Sequence, residues 1–350
     1  MIKKYIKSIV CVCASMLVVS CGEDKGKNAV GGGSAEGVYT LAWSPYTGWE
    51  PIAYMQDSGI LKKHADKHGI TIEVKKFNDY IESINQYTAG AMDAVSLTNM
   101  DALTIPAANG IDSTFILPTD FSNGNDAIVS KGANSIAGLK GKTVQLVEMS
   151  VSHYMLARAL EKNGLSEKDL TVVHSSDAQI GSLFSAGDNM NVVTWNPIVA
   201  TIKEQQGAEV LFDSSEIPGE IIDTIIVNTA ADAKFKQALT DAWYETMAVM
   251  AKKDMHAMEV IAASAGGSLE DYNKQLVTTE MFYDKASAKA FFESDDVKKT
   301  MDFVGSFSFD KGLYPEGAVS KDFIGIEFPD GSVMGDKGNI KLRFDTTFLK

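Results

Sequence analysis

Short apolar runs rich in β-branched residues alternate with amphipathic segments along most of the chain, a pattern typical of an α/β fold with mainly parallel sheets. The predicted strands cover residues 38–43, 71–77, 94–98, 114–117, 127–130, 143–147, 170–174, 192–195, 209–212 and 221–228. The predicted helices begin near Pro51, Tyr80, Asn99, Ser150, Asp177 and Pro197. Beyond residue 228 the pattern is almost purely helical to about residue 304, and a tail rich in Gly and Phe follows.

The N-terminal segment has a different pattern. Three lysines precede an apolar run over residues 9–19, which is shorter than the roughly 20 residues that a membrane-spanning helix needs. This pattern predicts a secretory signal peptide over residues 1–20. Its ending, Leu17-Val18-Val19-Ser20-Cys21, resembles the lipobox of lipoprotein precursors, which implies a lipid on Cys21.

Residues 21–37 are predicted to form a flexible tether, because their Gly, Lys, Asp, Glu, Asn and Ser side chains cannot bury enough apolar surface to become ordered. Two of the three cysteines, Cys11 and Cys13, lie in the predicted signal peptide, so no cysteine is left in the folded part for a disulfide, a metal site or a nucleophile. We therefore expect a protein of the periplasm or cell surface, anchored to the membrane by a lipid on Cys21.

The remaining three hundred or so residues exceed the usual size of one compact core, which favours two lobes. The net charge of −14 argues against a nucleic acid partner, since binding to a phosphate backbone requires clustered Lys and Arg. We also expect no cofactor. His64 and His68 have helical spacing suitable for a metal, but no third ligand is nearby in the sequence, so we expect no metal site.

Three segments resemble the periplasmic binding proteins of nitrate, sulfonate and taurine importers. Residues 49–64 resemble the first helix of that group, residues 89–94 the step into its third strand, and residues 139–144 the opening of its second lobe. The resemblance implies a type II periplasmic binding protein fold, in which two α/β lobes are joined by two crossing strands and the ligand lies between them. It also implies a monomer that works with ABC permease and ATPase subunits.

The implied boundaries follow from the predicted strands. Lobe 1 would comprise residues 38–119 and 224–350, and lobe 2 residues 120–223 together with the crossings near 120–129 and 220–223.

In open α/β sheets, ligands bind beyond the carboxyl ends of strands, beside the N-termini of the following helices. This rule selects loops at residues 43–50, 98–101, 120–126, 148–153, 175–179 and 195–197, together with the second crossing. The candidate ligand-binding residues are Trp43, Ser44, Tyr46, Trp49, Glu50, Thr98, Asn99, Asp120, Glu148, Ser150, His153, Trp195, Asn196 and Asp223.

The chemistry of these loops is acidic and aromatic. They hold carboxylates but no Lys or Arg, at Glu50, Asp101, Asp120, Asp126, Glu148, Asp177 and Asp223. The two arginines of the chain, Arg158 and Arg343, lie elsewhere, so these loops lack the fork that suits sulfonate or phosphate oxygens. Carboxylates combined with Trp and Tyr faces favour a cation.

Two segments, residues 43–51 and 193–197, resemble a subgroup of binding proteins whose importers are encoded beside urea carboxylase-type enzymes and are associated with urea and guanidine. This resemblance implies guanidinium, which carries six N–H donors and no acceptor. Urea or another small amide or amine is an alternative, since Ser44, Thr98, Asn99 or Asn196 could donate to a carbonyl. A sulfonate or taurine ligand, as in the wider family, is another.

Two other classes of protein stay open at this point. A sensor lipoprotein would present its ligand to a receptor instead of a permease, and the sequence does not distinguish it from an importer subunit. Thiamine-pyrimidine synthases share the implied fold, but their Cys-rich loop has no counterpart here, so we expect no enzymatic activity.

Overall fold

The computed structural model describes residues 37–314 and 316–350. The predicted signal peptide, Cys21 and the predicted tether up to residue 36 lie outside these residues. Within the described ranges, no helix has both the length and the apolar character that crossing a membrane requires.

The described residues form fourteen β-strands and twelve α-helices. The strands are β1 Val38–Trp43, β2 Thr71–Lys76, β3 Ala94–Thr98, β4 Ser113–Ser122, β5 Asp126–Lys131, β6 Thr143–Leu146, β7 Thr171–His174, β8 Asn191–Trp195, β9 Ala208–Asp213, β10 Ile222–Asn228, β11 Thr279–Met281, β12 Gly325–Glu327, β13 Val333–Met334 and β14 Ile340–Phe344. The helices are α1 Pro51–Asp57, α2 Ile60–Lys67, α3 Tyr80–Thr88, α4 Asn99–Ala102, α5 Val151–Lys162, α6 Asp177–Ala186, α7 Ile198–Ile202, α8 Ala233–Ala251, α9 Met255–Ser264, α10 Leu269–Leu276, α11 Lys285–Phe292 and α12 Asp295–Asp310.

The strands form two mixed sheets. The first has the order β13-β12-β14-β4-β10-β3-β1-β2, with β11 added beside β4, and the second has the order β7-β6-β8-β5-β9. The expectation of mainly parallel sheets needs correction, because β10 runs antiparallel to β3 and β4, and β5 runs antiparallel to β8 and β9. These are the strands at which the chain enters or leaves a sheet, and they reverse the local direction.

The region predicted as almost purely helical contains one strand. Strand β11 pairs antiparallel with the end of β4, where Met281 lies opposite Asp120. Three residues are too few for an alternating pattern to be visible in the sequence. The Gly- and Phe-rich tail supplies β12 to β14, which extend the first sheet.

Local signals explain why the helices near the sheet ends begin where they do. The side chains of Asp79, Thr98 and Ser150 each accept a hydrogen bond from a backbone N–H in the first turn of α3, α4 and α5. Pro51 occupies the first position of α1, where its missing N–H leaves no hydrogen bond unmade. These caps place three helix N-termini beside strand ends.

The chain passes from the first sheet to the second between Ser122 and Asp126, and it returns between Asp213 and Ile222. Both sheets belong to one compact unit. Residues at the strand ends of one sheet contact those of the other, as when the Trp195 indole N–H donates to the Pro45 carbonyl at 3.1 Å.

Candidate ligand-binding site

A small cavity of about 10 Å³ lies between the two sheets. It is lined by Tyr46, Trp49, Tyr80, Thr98, Asp126, Val151, Trp195 and Asp223. These residues come from strand ends of both sheets and from the first residues of α3 and α5. No lining residue is basic, and two are carboxylates.

Backbone pairing builds one wall from each sheet. In the first sheet Asp223 lies opposite Thr98 on one side and Asp120 on the other, so three polar side chains form a row across β3, β10 and β4. In the second sheet Asp126 lies opposite Trp195. Residues directly opposite each other in antiparallel strands project from the same face, which explains why these groups converge.

Tyr46 connects the two carboxylates of the first wall. Its hydroxyl oxygen lies 2.7 Å from Asp120 Oδ1 and 2.9 Å from Asp223 Oδ2. Both carboxyl groups are buried, at 0% and 1% exposure, and neither forms an ion pair with a described residue. Burial raises the pKa of Asp120 to about 7, and burial together with the charge of Asp120 raises the pKa of Asp223 well above its usual value.

The loop that carries Tyr46 can approach Asp120 only because position 48 is glycine. A Cβ atom on Gly48 would lie 2.0 Å from Asp120 Oδ2 and 2.7 Å from a ring carbon of Tyr46. Any larger residue would therefore displace the carboxylate or the aromatic ring.

Two further aspartates complete the acidic surroundings. Asp126 accepts a hydrogen bond from Ser122 Oγ at 2.6 Å, and burial raises its pKa to about 7. Asp101 accepts from the Tyr80 hydroxyl at 2.7 Å and from Thr98 Oγ1 at 2.9 Å, and burial raises its pKa to about 6.

Aromatic rings form the rest of the cavity wall. The ring centroids of Tyr46 and Trp49 are 4.8 Å apart, those of Trp49 and Tyr80 are 5.7 Å apart, and Trp195 meets Tyr80 edge-on at 5.4 Å. Four rings in contact present π faces and edges to a small volume that also contains carboxylates. Such surfaces attract cations.

Hydrogen bonds between the two sheets close the cavity. Asp177, at the start of α6, accepts from the Tyr80 N–H at the start of α3, at 3.2 Å. In the reverse direction, Asp101 accepts from the Val151 N–H at the start of α5, at 3.4 Å. Each side thus supplies a carboxylate to a helix N-terminus of the other, and burial raises the pKa of Asp177 to about 6.

Glu50 and Trp43, both predicted as ligand-binding, do not line the cavity. The buried Glu50 carboxylate lies 3.3 Å from Lys76 Nζ and accepts from Ser264 Oγ at 2.5 Å. Burial raises the pKa of Glu50, while the charge of Lys76 opposes that effect. Lys76 Nζ also lies 4.5 Å from the centroid of the Trp43 ring, so these residues form an internal ion pair with an aromatic neighbour.

Two predicted amides organise the connections between the sheets. The Asn99 side chain accepts from the Ile222 N–H at 3.0 Å and donates to the Glu220 carbonyl at 3.2 Å, which positions the return crossing. The Asn196 side chain accepts from the Ala200 N–H at 2.8 Å, at the start of α7. Neither amide lines the cavity.

The remaining predicted residues also lie away from the lining. Ser150 caps α5, and His153 Nδ1 accepts from the Met149 N–H at 3.1 Å while Nε2 lies 3.2 Å from Glu167. Glu148 is exposed, and Ser44 is fully buried. The structure therefore gathers Tyr46, Trp49, Thr98, Asp120, Trp195 and Asp223 and separates them from the other candidates.

Tyr80, Asp126 and Val151 line the cavity without having been selected as ligand-binding candidates. The sequence identifies Asp126 and Asp101 only as members of the acidic loops. Tyr80 begins the helix that follows β2, so extending the strand-end rule to the carboxyl end of β2 would have selected it.

A bound metal ion is a different explanation for clustered carboxylates. Among the described residues, no three His, Cys, Asp or Glu side chains form a group that could hold one.

Residues 65–238 match the model of the protein family described as NMT1/THI5 like. The taurine-binding periplasmic protein of Escherichia coli (strain K12) is 23% identical over 172 residues, which cover 49% of this chain and 52% of that protein. A Brucella abortus (strain 2308) protein, named as a binding protein without a stated ligand, is 27% identical over 139 residues. The chain thus spans about half the length of the curated relatives it matches.

Two solved structures share the fold. The alkanesulfonate-binding protein of Xanthomonas axonopodis pv. citri, bound to MOPS, superposes with a TM-score of 0.69 at 16% identity, covering 81% of this chain and 96% of that one. The nitrate-binding protein of Synechocystis PCC 6803 gives a TM-score of 0.64 at 12% identity, covering 81% and 84%. These similarities confirm the predicted type II periplasmic binding protein fold.

Proposed function

We propose that the chain is the substrate-binding component of an ABC importer and that it captures a small planar cation, guanidinium. The match of residues 65–238 to the NMT1/THI5 like family and the shared fold support the first part of this proposal. One observation carries the choice of ligand. Asp120, Asp126 and Asp223 are buried beside an aromatic cavity that has no basic lining residue.

The shape and charge of guanidinium match this arrangement. The cation has N–H donors around its plane and no acceptor, so it needs carboxylates at its edges and π faces above and below. Hydrogen bonds involving charged groups contribute about 1.5–3 kcal/mol each, and a cation over an aromatic face adds roughly 0.5–2 kcal/mol. The walls of the cavity supply both kinds of contact.

Sulfonate, taurine and nitrate, the ligands named for the related proteins, carry negative groups. A negative group in this cavity would lie beside buried carboxylates without a basic partner, which is costly. The nearby basic side chains are already paired: Arg158 donates to Glu220 at 2.8 Å, and Lys76 contacts Glu50. The described site therefore favours a cation over an anion.

One observation favours urea as a second candidate. The indole N–H of Trp49 is buried without an acceptor among the described residues, and Trp49 lines the cavity. A ligand with a carbonyl oxygen could accept from it, whereas guanidinium could not.

The proposed partners are ABC permease and ATPase subunits, and the proposed anchor is a lipid on Cys21. When the two sheets close around the ligand, the protein would adopt a closed conformation that the permease recognises. Replacement of Cys21 by Ala should release the protein from the membrane fraction, and continued membrane association would exclude the anchor.

Isothermal titration calorimetry with guanidinium, methylguanidine, agmatine, urea and taurine tests the ligand class. We expect guanidinium to bind most tightly and taurine not to bind. Binding of taurine without guanidinium would overturn the electrostatic argument, and binding of urea alone would select the second candidate.

A further inference from the structure

The contacts around the Tyr46 hydroxyl require more protons than the hydroxyl can provide. Its oxygen lies within hydrogen-bonding distance of two carboxyl oxygens, Asp120 Oδ1 and Asp223 Oδ2. A phenol has one proton, so it donates to only one of them. The other contact brings together two oxygens that both lack a proton unless one carboxyl group is protonated.

The remaining neighbours do not supply a positive charge that could replace this proton. Asp126 in β5, Tyr283 after β11 and Tyr272 in α10 lie close enough to interact electrostatically with one or both carboxyl groups of the pair. The Thr119 hydroxyl donates to Asp120 Oδ2 at 2.9 Å. These neighbours are acidic or neutral.

Burial favours an extra proton on the carboxyl pair. It raises the pKa of Asp120 to about 7, and together with the charge of Asp120 it raises the pKa of Asp223 well above its usual value. Burial also raises the pKa of Tyr46, so the phenol keeps its own proton. The ligand-free pair therefore holds one proton near neutral pH.

On the basis of the function proposed above, we propose that Asp120 and Asp223 select the charge of the ligand by exchanging this shared proton for a bound cation. The carboxyl O–H bond breaks, the proton leaves to solvent, and the N–H donors of the cation replace the proton at the freed carboxylate. One positive charge enters as another leaves, so the buried charge of the site does not change.

This exchange distinguishes ligands of similar shape. A neutral amide such as urea cannot replace a proton, because it brings no charge to compensate a second buried carboxylate. An anion would require additional protons to enter. The pair thus acts as a specificity determinant that responds to charge and not only to shape.

Calorimetry of guanidinium chloride binding in buffers of different ionisation enthalpy measures the number of protons released. Near pH 7.5, just above the pKa of about 7 for Asp120, the ligand-free pair holds one proton, and we expect close to one proton released per cation bound. The dissociation constant should rise by up to about tenfold for each pH unit of acidification. Urea, if it binds, should release none.

A pair of variants locates the proton. Asp223→Asn supplies its own N–H donor to the pair, so guanidinium binding that persists should occur without proton release. Glu50→Gln alters another buried acid of raised pKa that lies outside the cavity lining, so proton release should remain. Proton release that persists in Asp223→Asn, or that disappears only in Glu50→Gln, would overturn the assignment.

The outcomes separate this inference from the proposed function. Failure of guanidinium to bind at any pH would overturn the proposed function. Binding that is independent of pH and releases no proton would overturn only the proton exchange.

Discussion

Two buried acidic regions lie close together in this protein and differ in one respect. Glu50 is fully buried and lies against Lys76 and Ser264, so its charge is compensated within the protein. Asp120 and Asp223 are buried to the same degree, but their neighbours are a tyrosine, a threonine and further acids.

This difference separates a structural carboxylate from one that is available to a ligand. A buried charge is stable when it has a partner of opposite charge, and it otherwise tends to become neutral by binding a proton. Lys76 compensates the charge of Glu50, whereas the charge of the Asp120 and Asp223 pair is compensated only when a proton or a cation binds to it.

The largest expected effect is on ligand affinity. Asp120→Asn should weaken guanidinium binding at least about 30-fold, equivalent to about 2 kcal/mol, because it removes a buried charge that contacts the cation. Glu50→Gln, the matched control, should change affinity less than about threefold. Similar losses in both variants would remove the distinction between the two regions.

Gly48→Ala should reduce affinity by about tenfold, since its Cβ would displace Asp120 or Tyr46. Gly181→Ala provides a control within α6, where the new Cβ would meet only Ile198 Cγ2 at an ordinary 3.4 Å. Calorimetry of both variants checks the prediction. An unchanged affinity for Gly48→Ala would show that the close approach is not needed.

The stability of the ligand-free protein should fall as the pH rises, because buried carboxyl groups such as Asp120 have no basic partner among the described residues. A carboxyl group whose pKa is raised on folding stabilises the folded state below its unfolded pKa of about 4, and this contribution is lost as the pH rises through the folded value. With Asp120 and Asp126 at about 7, the melting temperature of the ligand-free protein should fall between about pH 4 and 7.

Above pH 7, replacing an unpaired and a paired buried acid should change the melting temperature in opposite directions. Asp223→Asn should raise the melting temperature, because it removes a buried acid that must ionise without a partner. Glu50→Gln should lower it, because Lys76 loses its partner. Circular dichroism melting curves measure both, and effects of the same sign would contradict the comparison.

The smallest effect should come from the contacts that close the cavity. Asp177→Ala removes the hydrogen bond from the Tyr80 N–H and should weaken guanidinium binding by roughly 2- to 10-fold, the value of one hydrogen bond. Ser182→Ala, on the exposed surface of α6, serves as the control. Titration at fixed pH distinguishes the two, and equal affinities would show that this contact does not assist closure.

Sequence patterns located much of the cavity because the ends of strands are visible locally. Tyr46, Trp49, Thr98 and Trp195 lie at or beyond the carboxyl ends of predicted strands, Asp223 lies in the predicted second crossing, and all five line the cavity. The expectation of parallel strands is wrong for β10, because the direction of this strand depends on where the chain re-enters the first sheet.

The role of Glu50 could not be predicted because its partner is distant in sequence. Lys76 lies opposite Trp43 in the pairing of β1 with β2, and this register brings its ammonium group to Glu50. A count of acids in loops treats Glu50 and Asp120 alike. Only the tertiary arrangement shows which acid has a basic partner.

A crystal structure of the protein grown with guanidinium is the decisive test of the proposed ligand. We expect a planar cation between the Asp120 and Asp223 carboxylates and Asp126, against the rings of Tyr46, Trp49 and Trp195. A cavity that excludes guanidinium but holds taurine in a parallel crystal would contradict it.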